Sequence, residues 1–346
     1  MRGVVALNGS CVVKDDVEVP TLKASEVLVE VRATAVNRLD TMQRSGVAKA
    51  PPGASEVLGL EVAGVILEVG STASDKFAIG DEVLSLVSGG GYGAKCAAEA
   101  SATMKKPKNI SWTQAASIPE VWLTAFQLLF VIAKVQRGDT VLIHAAASGV
   151  GCAAVQLARD AGAHVVTTAS NSAKIDFTKT LGAHDGIVVP RSTESWQRET
   201  SLKFDVILDC VGAQYAADNL AVLNTDGRWV LYSLLSGGDI SNSFLVDSKK
   251  PLAATFLPTL MAKRGSLLGT LLRGRPVAYK ADLVDRFQQE GKLEKIQNGT
   301  FKLIVDKSFN GLRSAQAAHD YMESNVNIGK ITIELDTDDH QQQCAP

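Results

Sequence analysis

The chain has no CxxC pair, no long apolar run and no surplus of charge of either sign. Its five cysteines (Cys11, Cys96, Cys152, Cys210 and Cys344) are an odd set without close spacing. That argues against a disulfide framework or a zinc knuckle and makes a reducing, cytoplasmic location the expectation. The richest apolar stretch, Val121 to Val135, is broken by Thr124, Gln127 and Lys134, so it suits a buried helix and not a membrane span. Met1 to Leu7 lacks the apolar core of a signal peptide. With 35 basic against 37 acidic residues the net charge is −2, which provides no stripe for nucleic acid. Aromatics make up 5% and are not interleaved with Lys and Arg as base-stacking platforms would be. Neither a membrane nor a nucleic-acid partner is expected.

What is present is enough for two cores: 346 residues, about twice a typical domain, with 46% hydrophobic content. The first third reads as β-rich, with β-branched runs at Val27 to Val31 and Leu58 to Val69, a turn into a strand at Gly80-Asp81, and a flexible loop at Gly89-Gly90-Gly91. Ser111 and Gln114 have capping-box spacing and open a short helix that Pro119 is expected to end; a longer helix follows from Val121. Between Thr140 and Ser233 continuous apolar strands alternate with helices, the pattern of a parallel sheet covered on both faces. After Gly274 come a helix over 280–290, a strand over 301–305, a helix over 312–324 and a strand over 330–335. These are expected to return to the first domain. The polar tail 336–346 is expected to be disordered.

The sharpest chemical signal is Thr140-Val-Leu-Ile-His-Ala-Ala-Ala-Ser-Gly-Val-Gly-Cys. It places a small-residue turn, Ala146, Ser148, Gly149, Val150 and Gly151, between a buried strand and a helix, where backbone N–H groups can approach a pyrophosphate. Alone the motif is weak, since small-residue turns join many strands and helices. The strand, turn, helix and second strand around it favour a dinucleotide site. An NAD site wants an acid at the end of the second strand for the ribose 2′-OH. Here the chain reads Ala169-Ser170-Asn171-Ser172-Ala173-Lys174, with no acid. Ser170 and Lys174 can instead contact a 2′-phosphate, which points to NADPH. By itself Lys174 reads equally as a solvated helix lysine.

With these residues in view, the sequence resembles the zinc-free quinone oxidoreductases of the medium-chain dehydrogenase/reductase superfamily, most of all the p53-inducible branch. The similarity runs through Ala35-Val36-Asn37-Arg38-Leu39-Asp40, Pro51-Pro52-Gly53, Leu58-Gly59-Leu60-Glu61, the stretch Ala115 to Gln127, the turn above, Asp226-Gly227-Arg228-Trp229 and Asn327-Ile328-Gly329-Lys330. The resemblance implies an α/β fold: a Rossmann doubly wound sheet at 121–273, and a GroES-like β-rich substrate domain at 1–120 and 274–335. It implies no metal, because Asn37 and Leu60 stand where zinc relatives carry cysteine and histidine. It implies hydride transfer from NADPH to a quinone, with Asn37 and Ser148 donating to quinone oxygens.

Thr124, Asp40, Tyr232, Ser233 and Lys330 are further cofactor contacts on the same resemblance. The plainer alternatives are that Asn37 caps a turn, Ser148 is merely small, and Asp40 is a helix cap. Two family tyrosines are missing: Ala48 takes the place of one at the substrate mouth, and Val189 replaces one near the 2′-phosphate, with Arg191 close enough to compensate. A homodimer, or a tetramer built from it, is expected through 219–233 and the Leu-rich 256–272. Rival readings are an alkenal or enoyl reductase, using Tyr92 or Tyr279 as proton donor, and a non-enzymatic NADPH- or nucleic-acid-binding protein.

Overall fold

The chain opens with a hairpin. Strands β1 (Gly3–Leu7) and β2 (Ser10–Lys14) are antiparallel, with Leu7 opposite Ser10. Their turn is Asn8-Gly9, both left-handed at φ 50° and 78°, the geometry for which Asn-Gly is the favoured pair. In this computed structural model residues 1–190, 195–241 and 251–340 are described. The chain divides into two units, Met1–Leu123 with Leu272–Pro346, and Thr124–Leu271.

In the first unit β3 (Glu26–Val36) leads into helix α1 (Arg38–Arg44), then β4 (Glu61–Val69), β5 (Glu82–Leu86), β6 (Lys95–Glu99) and β7 (Thr103–Lys105). The Gly89-Gly90-Gly91 segment is not the flexible loop its composition suggests. It is buried, and its backbone pairs with the chain around Gly59, through Gly90 N–H to Val57 O at 2.8 Å and Tyr92 N–H to Leu58 O at 2.8 Å. A Cβ on Gly91 would lie 2.8 Å from Glu61 O, so glycine here permits close packing.

Helix α2 (Trp112–Ala116) has the expected capping box: Gln114 N–H donates to Ser111 Oγ at 3.1 Å, and Ser111 N–H to Gln114 Oε1 at 3.0 Å. Pro119 does not end that helix; it is the first residue of α3 (Pro119–Phe126), where its missing N–H costs nothing. A π-helical segment, Gln127–Ile132, continues it.

The second unit carries β8 (Thr140–Ile143), α4 (Gly149–Asp160), β9 (His164–Ala169), α5 (Ser172–Thr180), β10 (Asp185–Val188), β11 (Phe204–Asp209), α6 (Ala216–Val222), β12 (Leu223–Leu231), α7 (Leu252–Ala262) and β13 (Ser266–Gly269). All six strands are parallel, in the order β10-β9-β8-β11-β12-β13. The edge strand β13 went unread in the sequence, since four residues of Ser-Leu-Leu-Gly carry no period of their own. Of the two stretches expected at an interface, 219–233 is largely interior, with Asn219, Leu220, Trp229 and Val230 buried. The other is open: Leu257, Met261 and Leu271 are 72%, 79% and 69% exposed beside the sheet edge.

The first unit then resumes with α8 (Val277–Gln289), α9 (Lys292–Gln297), β14 (Val305–Asn310), α10 (Ala315–Ser324), β15 (Lys330–Glu334) and α11 (Thr337–His340). Its main sheet runs β14-β15-β3-β4-β5-β7, with β6 also on β3. The strand expected at 301–305 lies later, because Phe301 is buried against the Trp122 ring, with centroids 5.3 Å apart. The tail is not wholly disordered either. Asp339 is buried, pairs with Arg2 Nη1 at 3.3 Å, and accepts from Leu312 N–H at 3.0 Å. Residues 341–346 are outside the described part.

Candidate active site

In the second unit the turn after β8 does what its small residues permit. Ala146 N–H donates to Thr168 O at 3.0 Å, which ties the turn to β9. Ser148 is the N-cap of α4, its Oγ accepting from Gly151 N–H at 3.1 Å. Ser148 is therefore more than a small residue of the turn, and its own O–H is left for donation. A Cβ on Gly151 would sit 2.5 Å from Ala146 Cα and 2.6 Å from Ala146 C and O. Only glycine lets the helix start this close to the turn. The N–H groups of Gly149 and Val150, in the first turn of a twelve-residue helix, have no intrahelical acceptor and carry the positive end of its dipole.

Beneath the turn lies a polar network that the sequence reading missed. Asp209 ends β11, and its Oδ1 accepts Val211 and Gly212 N–H at 2.6 and 3.1 Å. Its Oδ2 accepts from Trp229 Nε1–H and Asn219 Nδ2–H, both at 3.0 Å. That orientation turns Asn219 Oδ1 toward His144 Nε2 at 2.7 Å, so Nε2 carries the hydrogen. His144 Nδ1 then accepts from Thr168 Oγ1–H at 2.9 Å. Burial lowers the His144 pKa and keeps the ring neutral, consistent with this tautomer. Thr168 therefore links the network to the turn. The visible signal was a His and an Asp closing otherwise apolar strands.

At the end of β9, Ser170 is exposed in a bend. Asn171 caps α5, accepting Lys174 N–H at 2.9 Å. Lys174 is half-buried, and its charge acts on the Cys152 thiol, which places it near the first turn of α4. No carboxylate occupies 169–174. Val189 is a core residue whose N–H donates to Ala169 O at 2.8 Å; Arg191 is outside the described residues. Thr124 is half-buried on α3, and Ser233 half-buried just past β12. The Tyr232 hydroxyl turns inward to hydrogen-bond Cys210, and burial raises its pKa well above the usual phenol range.

The first unit brings Asn37, Asp40 and Lys330 together around two further residues, Glu61 and Glu120. Asn37 is the N-cap of α1 and only 8% exposed. Asp40, three residues on, accepts its backbone N–H at 2.8 Å, so Asp40 is the capping-box partner and not the cap itself. Lys330 Nζ donates to Val36 O, Asn37 Oδ1 and Glu61 Oε1 at 2.9, 2.8 and 2.7 Å. An ammonium has three N–H bonds, and all are taken here. Lys330 thus holds Asn37, and the expected cofactor contact is not available to it.

The Asn37 amide donates to Glu61 Oε1 at 2.9 Å and, more weakly, to Ala35 O at 3.4 Å. The second of these is long enough to give way to a better acceptor. Glu61 Oε2 accepts Glu120 N–H at 2.8 Å. Burial, then the charge of Glu61, pushes the Glu120 carboxyl up to about 8. Burial likewise pushes Asp40 up to about 7, against the opposing Asn37 N–H and the Lys330 charge. At the two positions where zinc relatives carry ligands, Asn37 is the N-cap of α1 and Leu60 is a core residue.

Residues 23–125 match the alcohol dehydrogenase GroES-like domain family, and 149–289 the zinc-binding dehydrogenase family. A quinone oxidoreductase of Rattus norvegicus is 28% identical over 93% of each chain. A polyketide synthase of Streptomyces halstedii is 36% identical over 60% of this chain, which spans only 4% of that protein. A mycobacterial protein solved in complex with NADPH is 30% identical, with a TM-score of 0.75 over 96% of this chain and 99% of its own. No helix among the described residues is long and apolar enough to cross a membrane. The two family regions and the full-length relatives place this chain in the medium-chain dehydrogenase/reductase superfamily.

Proposed function

We propose that the chain is an NADPH-dependent quinone reductase that works without a metal, of the p53-inducible branch its sequence resembles. The observation that carries this reading is the pairing of the Gly151 cradle with a β9 end that has Lys174 and no acid. The cradle admits a pyrophosphate against the α4 N-terminus; the missing carboxylate removes the repulsion a 2′-phosphate would meet. When bound there, NADPH supplies the hydride. The chain's residues supply orientation and hydrogen-bond donors.

A quinone suits such a site because its carbonyls accept hydride without a Lewis acid. From its own unit, Ser148 offers its O–H. Asn37 offers the N–H now resting on Ala35 O, with the Lys330 charge on Oδ1 strengthening it as a donor. Tyr92, the donor an enoyl reductase would want, is fully buried with its hydroxyl engaged by Asp40 and His319. The Tyr279 hydroxyl is also buried. Leu257, Met261 and Leu271 beside the β13 edge suit a second copy of the chain, and sedimentation should report a dimer.

The test is NADPH oxidation with 1,2-naphthoquinone against a crotonyl thioester. The reading expects turnover of the quinone at least tenfold above that of the thioester in kcat/KM; the reverse ratio would assign the protein to enoyl reduction.

A further inference from the structure

A quinone that has accepted a hydride is a hydroquinone monoanion, and one proton completes it. The first unit contains a hydrogen-bonded file with the polarity to carry that proton through the protein. Asp40 Oδ2 lies 3.4 Å from Tyr92 Oη, Tyr92 Oη 3.1 Å from His319 Nε2, and His319 Nδ1 3.6 Å from Cys11 Sγ. The directions follow from one another. Tyr92 O–H donates to the carboxylate, so Tyr92 Oη must accept, and His319 Nε2 carries the hydrogen it donates. His319 Nδ1 is then the acceptor for the Cys11 S–H. Asp40, Tyr92 and His319 are fully buried, whereas Cys11, on β2, is half-buried and forms the outer end. The Tyr92 and His319 rings meet edge to face at 5.7 Å. Gly59 holds Tyr92 in place: a Cβ there would lie 2.5 Å from Tyr92 Cδ1 and 2.6 Å from its backbone N.

We propose that Cys11, His319 and Tyr92 form a proton relay that recharges Asp40 during turnover, an inference that rests on the reductase reading above. The outlet is Asp40 Oδ1, which is buried and has no hydrogen-bond partner among the described residues. Asp40 O–H breaks as the hydroquinone O–H forms, leaving a carboxylate. Oδ2 then takes the Tyr92 proton, Tyr92 takes that of His319 Nε2, His319 Nδ1 takes that of Cys11, and water reprotonates the sulfur. No electrons move, and one solvent proton is consumed per quinone. Each passage inverts the His319 tautomer, leaves the new Asp40 proton on Oδ2 and reverses the Tyr92 O–H, so rotations of the His319 ring, the Tyr92 hydroxyl and the Asp40 carboxyl belong to the cycle. Cys11, His319 and Tyr92 act only through Asp40.

The charges fit the task. Burial raises the Cys11 thiol to about 12 and lowers His319 to about 4, so the file is neutral at physiological pH. Asp40, near 7, is matched to donate there. The groups facing the file are Glu61, Lys330 and Arg273 around Asp40, and Arg44, Asp320 and Glu323 around His319 and Cys11.

The experiment uses the full chain with NADPH and 1,2-naphthoquinone. Tyr92→Phe keeps the ring and should lower kcat by roughly 10- to 100-fold, leave both KM values in place, and raise the solvent deuterium isotope effect on kcat. His319→Ala should do the same and recover with added imidazole. In the cofactor-free protein, an infrared carboxylic-acid band that titrates near neutral pH should vanish in Asp40→Asn and shift in Tyr92→Phe. A folded Tyr92→Phe with wild-type kcat and isotope effect, or no Asp40 band, overturns the relay alone. An inactive wild type overturns the reductase reading, and the relay with it.

Discussion

The two units solve the problem of holding polar groups in opposite ways. In the second, the candidate cofactor turn is made of backbone and near-absent side chains, and its precision comes from how closely Gly151 lets α4 approach Ala146. In the first, the site is made of buried charge: Lys330 against Glu61, with Asn37 between them and two carboxyls pushed toward neutral pH. A turn of small residues tolerates little added bulk. A buried ion cluster tolerates little change of charge, because each member's desolvation is offset only by the others.

Charge removal should therefore have the largest effect. Lys330→Met leaves Glu61 buried without its cation and should cost about 3–5 kcal/mol in denaturant unfolding. Lys330→Met combined with Glu61→Gln should recover much of that. A small, additive loss in both would mean the pair is not coupled. In the second unit the corresponding break is Gly151→Val, which should weaken NADPH binding about 100-fold, or ~2.7 kcal/mol, while thermal unfolding of the first unit stays in place. Undiminished binding would remove the turn from the cofactor site. Ser148→Ala, which removes the α4 cap together with the proposed donor, should cost ~1 kcal/mol of stability.

The remaining break is one of pH. Asp40 and Glu120 bind protons more tightly folded than unfolded, so the folded state holds more protons between about pH 4 and pH 8, and stability falls as pH rises through that window. Asp40→Asn should flatten that slope and raise stability above pH 7. A slope unchanged by the substitution would mean that Asp40 ionises normally.

The same contrast decides what could be read from the sequence. The second unit is local: strand, turn, helix and cap each carry a periodic or compositional mark within a dozen residues, and the parallel sheet and the Ala146–Gly151 turn were legible. What escaped there was short or polar, namely β13 and the His144–Asn219–Asp209 network, whose members stand up to 75 residues apart. The first unit's site joins Asn37 to Lys330 across 293 positions. Nothing in the spacing of either residue announces the other, so Lys330 read as a cofactor ligand when it is the anchor of Asn37. Asp40 was legible in part, as a residue of a helix cap. The Asn8-Gly9 hairpin was written plainly and passed over. Gly89-Gly90-Gly91 looked flexible because composition cannot distinguish glycine used for freedom from glycine used for close contact.

The central claim is a 2′-phosphorylated dinucleotide at the α4 turn, and it is tested most directly by binding alone. Nicotinamide fluorescence should show NADPH bound at least tenfold more tightly than NADH, a difference of about 1.4 kcal/mol, with Lys174→Ala removing most of that preference and leaving the NADH affinity unchanged. Equal affinity for the two cofactors, or tighter binding of NADH, would contradict the account.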